Sequence, residues 1–158
     1  MRSSAHLVRR FFGFITASEL SPREQSEVNG LLARAEAALF WEQSTPDQRH
    51  ALQVARRVLV SRPGDREAAG AALLHDVGKR GLRLGAVHRS VATVMYGLKM
   101  PLRGSYEAYR AHGPLGAEAL EAVDAGALAV AFARYHPAAA PPATDPEQWQ
   151  ALLDADHA

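Results

Sequence analysis

The segment that most constrains the fold is an apolar stretch that ends in two ionisable residues. From Glu67 to Leu74 the chain reads EAAGAALL, and His75-Asp76 follows directly. A helix that is apolar on nearly every face belongs at the centre of a globular domain. Asp65 can cap such a helix at its start, and Gly78 can end it. The pattern therefore predicts a buried central helix over 66–77.

The rest of the chain also favours helices. Ala, Leu, Arg and Glu dominate, and the alternating β-branched and aromatic residues of strands are scarce. The 158 residues suffice for one domain, since chains of about 150 residues bury roughly two-thirds of their unfolded surface. We expect a single all-α bundle, with a helical N-terminal extension over 1–44 and a core over 46–157. The expected helices are 4–17, 22–40, 46–61, 66–77, 87–98, 104–111, 114–123, 126–136 and 146–157.

Composition narrows the classes of partner. Lys and Arg together number 18 and Asp and Glu 17, so bulk charge gives no reason to expect nucleic acid binding. No stretch approaches the roughly 20 apolar residues of a membrane span. The chain has no cysteine, which fits a cytoplasmic protein and leaves only imidazole and carboxylate as metal ligands. Leu31-Leu32 and Leu39-Phe40-Trp41 are expected to cover the core or to form a homodimer contact.

The two ionisable residues at the end of the central helix need compensation. Burying a charge costs several kcal/mol unless the charge is paired or bound to a metal. His75 and Asp76 diverge by about 100° if both are helical, yet both can reach one ion from the end of a turn. His50 shares a helix face with Val54 and Val58 and is a candidate further ligand.

The order of these residues resembles a known family. His50, then His75-Asp76-Val77-Gly78-Lys79, then an Asp late in a further helix are similar to the HD-domain superfamily of metal-dependent phosphohydrolases. The resemblance covers about 46–157. It implies a helical bundle, with His50, His75 and Asp76 as metal ligands.

Further residues extend the resemblance. The segments AHGPLGAE, which contains His112, and RYHP, which contains His136, resemble the family's ligands for a second metal. The closing Asp is Asp154 or Asp156. These lie about 200° apart on a helix, and Asp156 continues the apolar stripe of Leu152 and Leu153, so we favour Asp156.

A lysine follows the dyad as well. The resemblance implies that Lys79 faces the substrate phosphate and acts with Asp76 in catalysis, although a cation just past a helix end is favoured by the helix dipole in any case. Arg49 and Arg134, each beside a proposed ligand, are weaker candidates for the same role.

The resemblance implies one or two divalent ions that activate water for attack on phosphorus. Fe, Mn, Ni, Co and Zn all suit such ligands. The segments around His112 and His136 are similar to those of HD-type diadenosine tetraphosphate hydrolases. The dyad string is equally similar to that of the HD-GYP cyclic-dinucleotide phosphodiesterases, but their Gly-Tyr-Pro signature is missing. We therefore expect a nucleotide or dinucleotide substrate. The alternative is a non-catalytic module that binds metal or nucleotide.

Overall fold

The structure is a computed structural model that describes residues 18–80 and 112–158. These two stretches contain helices and no strand, so the prediction of an all-α fold is confirmed. The predicted helices over 4–17, 87–98 and 104–111 lie outside the described residues. The helices are α1 Pro22–Leu31, α2 Arg34–Trp41, α3 Thr45–Ser61, α4 Arg66–Leu74, α5 His112–Glu121, α6 Ala127–Tyr135 and α7 Pro146–His157, with a 3₁₀ turn at Val77–Lys79.

Helix α4 is the central element, as its apolar sequence predicts. It packs against α1, α2, α3, α6 and α7, and most extensively against α3 and α6. Its alanines and leucines from Ala68 onward are all buried, and Gly70 among them is half-buried. Asp65 caps the helix, because its Oδ1 accepts a hydrogen bond from the Ala68 N–H at 3.0 Å. The small side chains let five helices approach one axis, and this places the end of α4 among them.

The end of α4 differs from the prediction. The helix stops at Leu74, three residues before the predicted end, and Asp76 adopts φ −106° and ψ 10°. The Lys79 N–H then donates to the Asp76 carbonyl at 2.9 Å and closes the 3₁₀ turn. The chain turns here because Gly78 packs directly on the backbone of α5. His75 and Asp76 therefore lie just beyond the C-terminal end of α4 rather than within the helix.

The predicted helix over 22–40 is wrong as a single element. Leu32 is extended, with φ −108° and ψ 146°, so the segment forms α1 and α2. The Glu36 carboxylate accepts from the Ala33 N–H at 2.8 Å and stabilises the new start. Val28, Leu32, Ala37 and Phe40 all reach the core. The break lets both short helices bury their apolar residues against α4.

The remaining predicted helices agree with α3, α5, α6 and α7 to within two residues at either end. Leu31, Leu39 and Trp41 pack against the core, in line with the covering role expected of them, and a dimer contact stays a prediction. In the described stretches, no helix combines the length and the apolar character that crossing a bilayer requires.

Candidate metal centre

His75 and Asp76 are deeply buried polar residues, with 1% and 3% of their surface exposed. The His75 Nδ1–H donates to the carbonyl oxygen of Ala72 at 2.7 Å. Because a carbonyl can only accept, this bond fixes a proton on Nδ1 and turns Nε2 toward Asp76, 3.4 Å from its Oδ2. The end of α4 thus presents an imidazole nitrogen and a carboxylate side by side.

Two side chains from other helices complete one half of the site. His50 on α3 places its Nε2 3.0 Å from Oδ1 of Asp156 on α7. The Nε2 of His75 lies 3.5 Å from the same oxygen. Asp154 is exposed and accepts instead from Gln150 at 2.8 Å. The structure therefore brings Asp156, and not Asp154, to His50 and His75. These three residues are called the His50 side.

The protonation of the His50 side reflects two carboxylates, its own Asp156 and the neighbouring Asp76. Burial disfavours a charge on His75, but Asp76 and Asp156 outweigh it and raise the pKa of His75 to about 10. Burial also opposes the charge on Asp156, yet hydrogen bonds from His50 and His75 hold the pKa of Asp156 far below its usual range. Both carboxylates are ionised inside the protein, so they attract positive charge, either protons on the imidazoles or a metal ion.

The other half of the site, called the His112 side, comes from α5 and α6. His112 begins α5 and His136 follows the last residue of α6, and their Nε2 atoms lie 3.5 and 3.9 Å from Asp76 Oδ1. The His136 Nδ1–H donates to the Phe132 carbonyl at 2.7 Å. Burial, reinforced by nearby His75, lowers the pKa of His136 to about 4. His136 is therefore neutral, with its Nε2 lone pair directed toward Asp76.

Asp76 connects the two halves. Its Oδ2 faces His75, and its Oδ1 faces His112 and His136. Although Oδ1 is buried, no group among the described residues donates a hydrogen bond to it. Two triads share this carboxylate, and within each the donor atoms lie within 4.8 Å of one another: His50, His75 and Asp76, and Asp76, His112 and His136. All six predicted ligands are brought together.

Lys79 contacts the shared carboxylate. Its Nζ pairs with Asp76 Oδ2. Burial would raise the pKa of Asp76, but the charges of Lys79 and His75 hold it well below the usual value. The lysine side chain is 15% exposed and that of Asp76 4% exposed, so the ion pair joins the buried dyad to a less buried side chain. The expected contact with a substrate phosphate stays a prediction.

The two arginines beside proposed ligands make contacts elsewhere. Arg49 donates to the carbonyl oxygens of Ser18 and Glu19 at 2.9 and 2.8 Å. Arg134 pairs with Glu121 at 2.8 Å. In the described residues, both arginines thus join structural elements to one another.

Three glycines, Gly78, Gly113 and Gly116, position the His112 side. Sequence reasoning used Gly78 only as the end of a helix and missed the close packing at all three. A β-carbon at Gly78 would overlap the His112 carbonyl and lie 2.7 Å from the Gly116 nitrogen. One at Gly113 would lie 3.0 Å from the Arg134 carbonyl. The spacing of Gly113 and Gly116 puts both on one helix face, which is a signal for close backbone packing.

Arg57 is a second residue that sequence reasoning missed. It lies two helical turns after His50, on the same face of α3, and its Nη1 donates to the Ala155 carbonyl at 3.1 Å. A cation at the last turn of α7 also suits the helix dipole. One face of α3 therefore holds both the side chain of Asp156, through His50, and the backbone beside it. The seven-residue spacing from His50 places Arg57 on this face, but nothing in the sequence marks its partner on α7.

Comparisons with protein-family models, with curated proteins and with solved structures gave no match.

Proposed function

We propose that the chain is a metal-dependent phosphohydrolase of the HD type, which hydrolyses a phosphoester or phosphoanhydride of a nucleotide or dinucleotide. One observation carries the proposal. Asp76 Oδ1 is buried without a hydrogen-bond donor among the described residues, 3.5 and 3.9 Å from two imidazole nitrogens. An unsatisfied buried acceptor costs about 1–3 kcal/mol, and more when charged. A divalent cation between these atoms would remove that cost.

The donor set fits such a cation. Metal–ligand bonds to imidazole and carboxylate are about 2.0–2.2 Å, so two donors on one ion lie at most about 4.4 Å apart. The 4.8 Å limit within each triad requires only a small contraction. Nδ1 of His75 and of His136 each donates to a carbonyl, an arrangement that orients ligating imidazoles in metal sites. Four imidazoles and two carboxylates suit one or two Fe, Mn, Ni, Co or Zn ions alike.

The chain's own residues have separate roles around the reacting phosphate. A bound divalent cation supplies Lewis-acid activation of water and of a phosphoryl oxygen. Asp76 holds the two halves of the site at one carboxylate. Lys79, which pairs with Asp76, offers a compact positive charge against the charge that develops on the phosphoryl group. The buried wall of α4 excludes bulk water from behind the dyad, which strengthens each of these interactions.

The alternative function is a module that binds metal or nucleotide without turnover. It would need the same six residues to hold an ion but would not need Lys79 beside a substrate. Tight nucleotide binding without product formation, in protein loaded with Mn or Fe, would favour this alternative.

The test combines metal content with hydrolysis of bis(p-nitrophenyl) phosphate, a generic phosphodiester. We expect the wild type to bind a divalent ion and to release nitrophenol. His75→Ala and Asp76→Ala should bind no ion and lose turnover by more than about 100-fold, since removing only an outer partner of a ligand already costs about 10–100-fold. If both variants kept metal and activity, the assignment of the site would be wrong.

A matched pair on α7 controls for general damage. Asp156→Asn removes a carboxylate that contacts His50 and His75, whereas Asp154→Asn removes an exposed one on the same helix. We expect metal loss only in the Asp156 variant. Equal loss in both would mean that the helix, and not the carboxylate, is responsible.

A further inference from the structure

The four imidazoles of the candidate metal centre form a continuous row. The ring centroids of His50 and His75 lie 5.5 Å apart, those of His75 and His136 5.1 Å, and those of His136 and His112 5.8 Å. His75 belongs to the His50 side and His136 to the His112 side. The contact in the middle of the row therefore joins the two sides, in addition to the carboxylate of Asp76.

Phe132 packs against both imidazoles of that middle contact. Its side chain is fully buried on α6. Its ring centroid lies 6.0 Å from that of His75 and 5.2 Å from that of His136, with the ring planes tilted by 48° and 36°. Together with the 5.1 Å between the two imidazoles, these distances describe a triangle of three rings. A single side chain of α6 thus contacts one proposed metal ligand on each side.

Trp149 packs behind Phe132 and limits its movement. The two rings meet edge to face, with centroids 5.2 Å apart and planes at 84°, and Trp149 is 1% exposed. The Trp149 Nε1–H donates to the Ala138 carbonyl at 3.0 Å, which fixes the indole against the segment after α6. Trp149 also lies two helical turns before Asp156 on the same face of α7. Phe132 therefore cannot turn away from the imidazoles without opening the core between α6 and α7.

The hydrogen bonds of the two middle imidazoles leave the tilt of their rings open. The Nδ1–H groups of His75 and His136 donate to the carbonyls of Ala72 and Phe132, which decides that Nε2 faces Asp76. One hydrogen bond still allows a range of tilts, because the torsion that turns an imidazole about its Cβ is broad. Packing against a rigid aromatic ring narrows this range. A metal ion requires a narrow range, because its bonds to imidazole nitrogen have a nearly fixed length of about 2.0–2.1 Å.

We propose that Phe132 is a positioning residue shared by the two sides of the metal centre. Its ring holds His75 and His136 at the tilt that directs their Nε2 atoms toward Asp76, at 3.4 and 3.9 Å. The inference rests on the proposed metal-dependent function, which requires these imidazoles to be preorganised for an ion. It gives one buried apolar side chain an effect on both ions, whereas the loss of one imidazole affects the ion on its own side.

The first test compares two core phenylalanines in the metal-free protein. Phe132→Leu removes the ring that contacts the imidazoles, and Phe40→Leu removes an equally buried ring on α2 whose described ring contact is with Trp41. Both substitutions shorten a core side chain and should lower the melting temperature. Hydrogen exchange of the two imidazole Nδ1–H groups, followed by NMR, should be about two- to tenfold faster in Phe132→Leu, as the loss of an aromatic contact implies. It should be unchanged in Phe40→Leu.

The second test measures metal binding in the same variants. Calorimetric titration with Co²⁺ should show both ions bound about tenfold more weakly in Phe132→Leu, as expected when a group that supports a ligand is removed. The visible absorption of bound Co²⁺, which depends on ligand geometry, should shift in Phe132→Leu and not in Phe40→Leu. If Phe132→Leu does not fold, Phe132→Met also lacks the ring and conserves more of the volume. Equal losses of affinity in the Phe132 and Phe40 variants, or weakening of only one ion in the Phe132 variant, would overturn the inference.

The two tests separate this inference from the proposed function. Unchanged exchange and unchanged ion affinities in Phe132→Leu, with hydrolysis of bis(p-nitrophenyl) phosphate by the wild type intact, would overturn the positioning role alone. Faster exchange in Phe132→Leu, in a wild-type protein that binds no ion, would overturn the metal-dependent function while supporting the role of Phe132 in orienting the two imidazoles.

Discussion

The two halves of the site satisfy their charges in different ways. On the His50 side, Asp156 contacts two imidazoles, at 3.0 and 3.5 Å, so its charge is balanced within the protein. On the His112 side, the imidazoles stand 3.5 and 3.9 Å from an Asp76 oxygen that lacks a hydrogen bond among the described residues. The first half can remain ordered without an ion, whereas the second half leaves one oxygen of the Asp76 carboxylate without a hydrogen bond among the described residues. A cation therefore has more to contribute on the His112 side.

The largest expected effect comes from removing one imidazole on each side. The two triads predict two ions, so His50→Ala and His136→Ala should each keep one and lose the other. Affinity for the lost ion should fall by about 100-fold or more, the upper end of the loss seen when only an outer partner of a ligand is removed. Metal titration with a competing chelator measures both equivalents.

The outcome of this titration can break the comparison. If each variant lost all bound metal, the six residues would hold one shared ion and the two halves would not be separable. If His136→Ala kept both ions, the residues of the His112 side would contact the metal ligands without binding an ion themselves.

The next largest effect is expected from Gly78, a glycine that packs against the His112 side. Gly78→Ala would drive a β-carbon into the His112 carbonyl, and backbone atoms cannot rotate away. Overpacking of this kind costs about 1–3 kcal/mol or more, so we expect lower thermal stability and loss of the ion on the His112 side, with the His50 side retained. The variant is compared with wild type by thermal unfolding and metal titration.

Gly30→Ala is the matched control. A β-carbon at Gly30 meets nothing within 4 Å, and the residue lies in the last turn of α1. Alanine is preferred over glycine in helices by about 1 kcal/mol, so stability should hold or rise. Similar destabilisation by both substitutions would contradict the close packing of the 3₁₀ turn on α5.

The sequence predicted which residues form the site better than it predicted where the surrounding helices begin and end. The apolar run up to Leu74 predicted the central helix. The apolar stripe of α7 favoured Asp156 over Asp154, and Asp156 is the residue that the structure brings to His50. The predicted end of α4 was wrong because the observed end depends on the packing of Gly78 against α5. That helix lies far along the chain. The break after Leu31 was missed because periodicity continues across Leu32, and only packing of both halves against α4 decides it.

The role of Arg57 could not be read from one helix either. A single charged residue on a helix face is usually solvated, and its partner here is a backbone carbonyl on α7, which no side-chain motif marks. The same limit applies to the orphaned oxygen of Asp76. That no described residue donates to this oxygen follows from how α4, α5 and α6 meet, which is a property of the assembled bundle.

Arg57 gives the smallest effect and tests what keeps the His50 side ordered. Arg57→Met removes the bond to the Ala155 carbonyl, which loosens the last turn of α7 next to Asp156. Ion affinity on the His50 side should fall about tenfold, the low end for groups that support a ligand. Arg57→Lys should restore part of the loss, since an ammonium near a helix C-terminus also suits the dipole. Arg56→Met, at the neighbouring residue that pairs with Glu27, should leave metal binding unchanged. Equal losses in the Arg56 and Arg57 variants would mean that α3 stability, rather than the contact with α7, sets the position of Asp156.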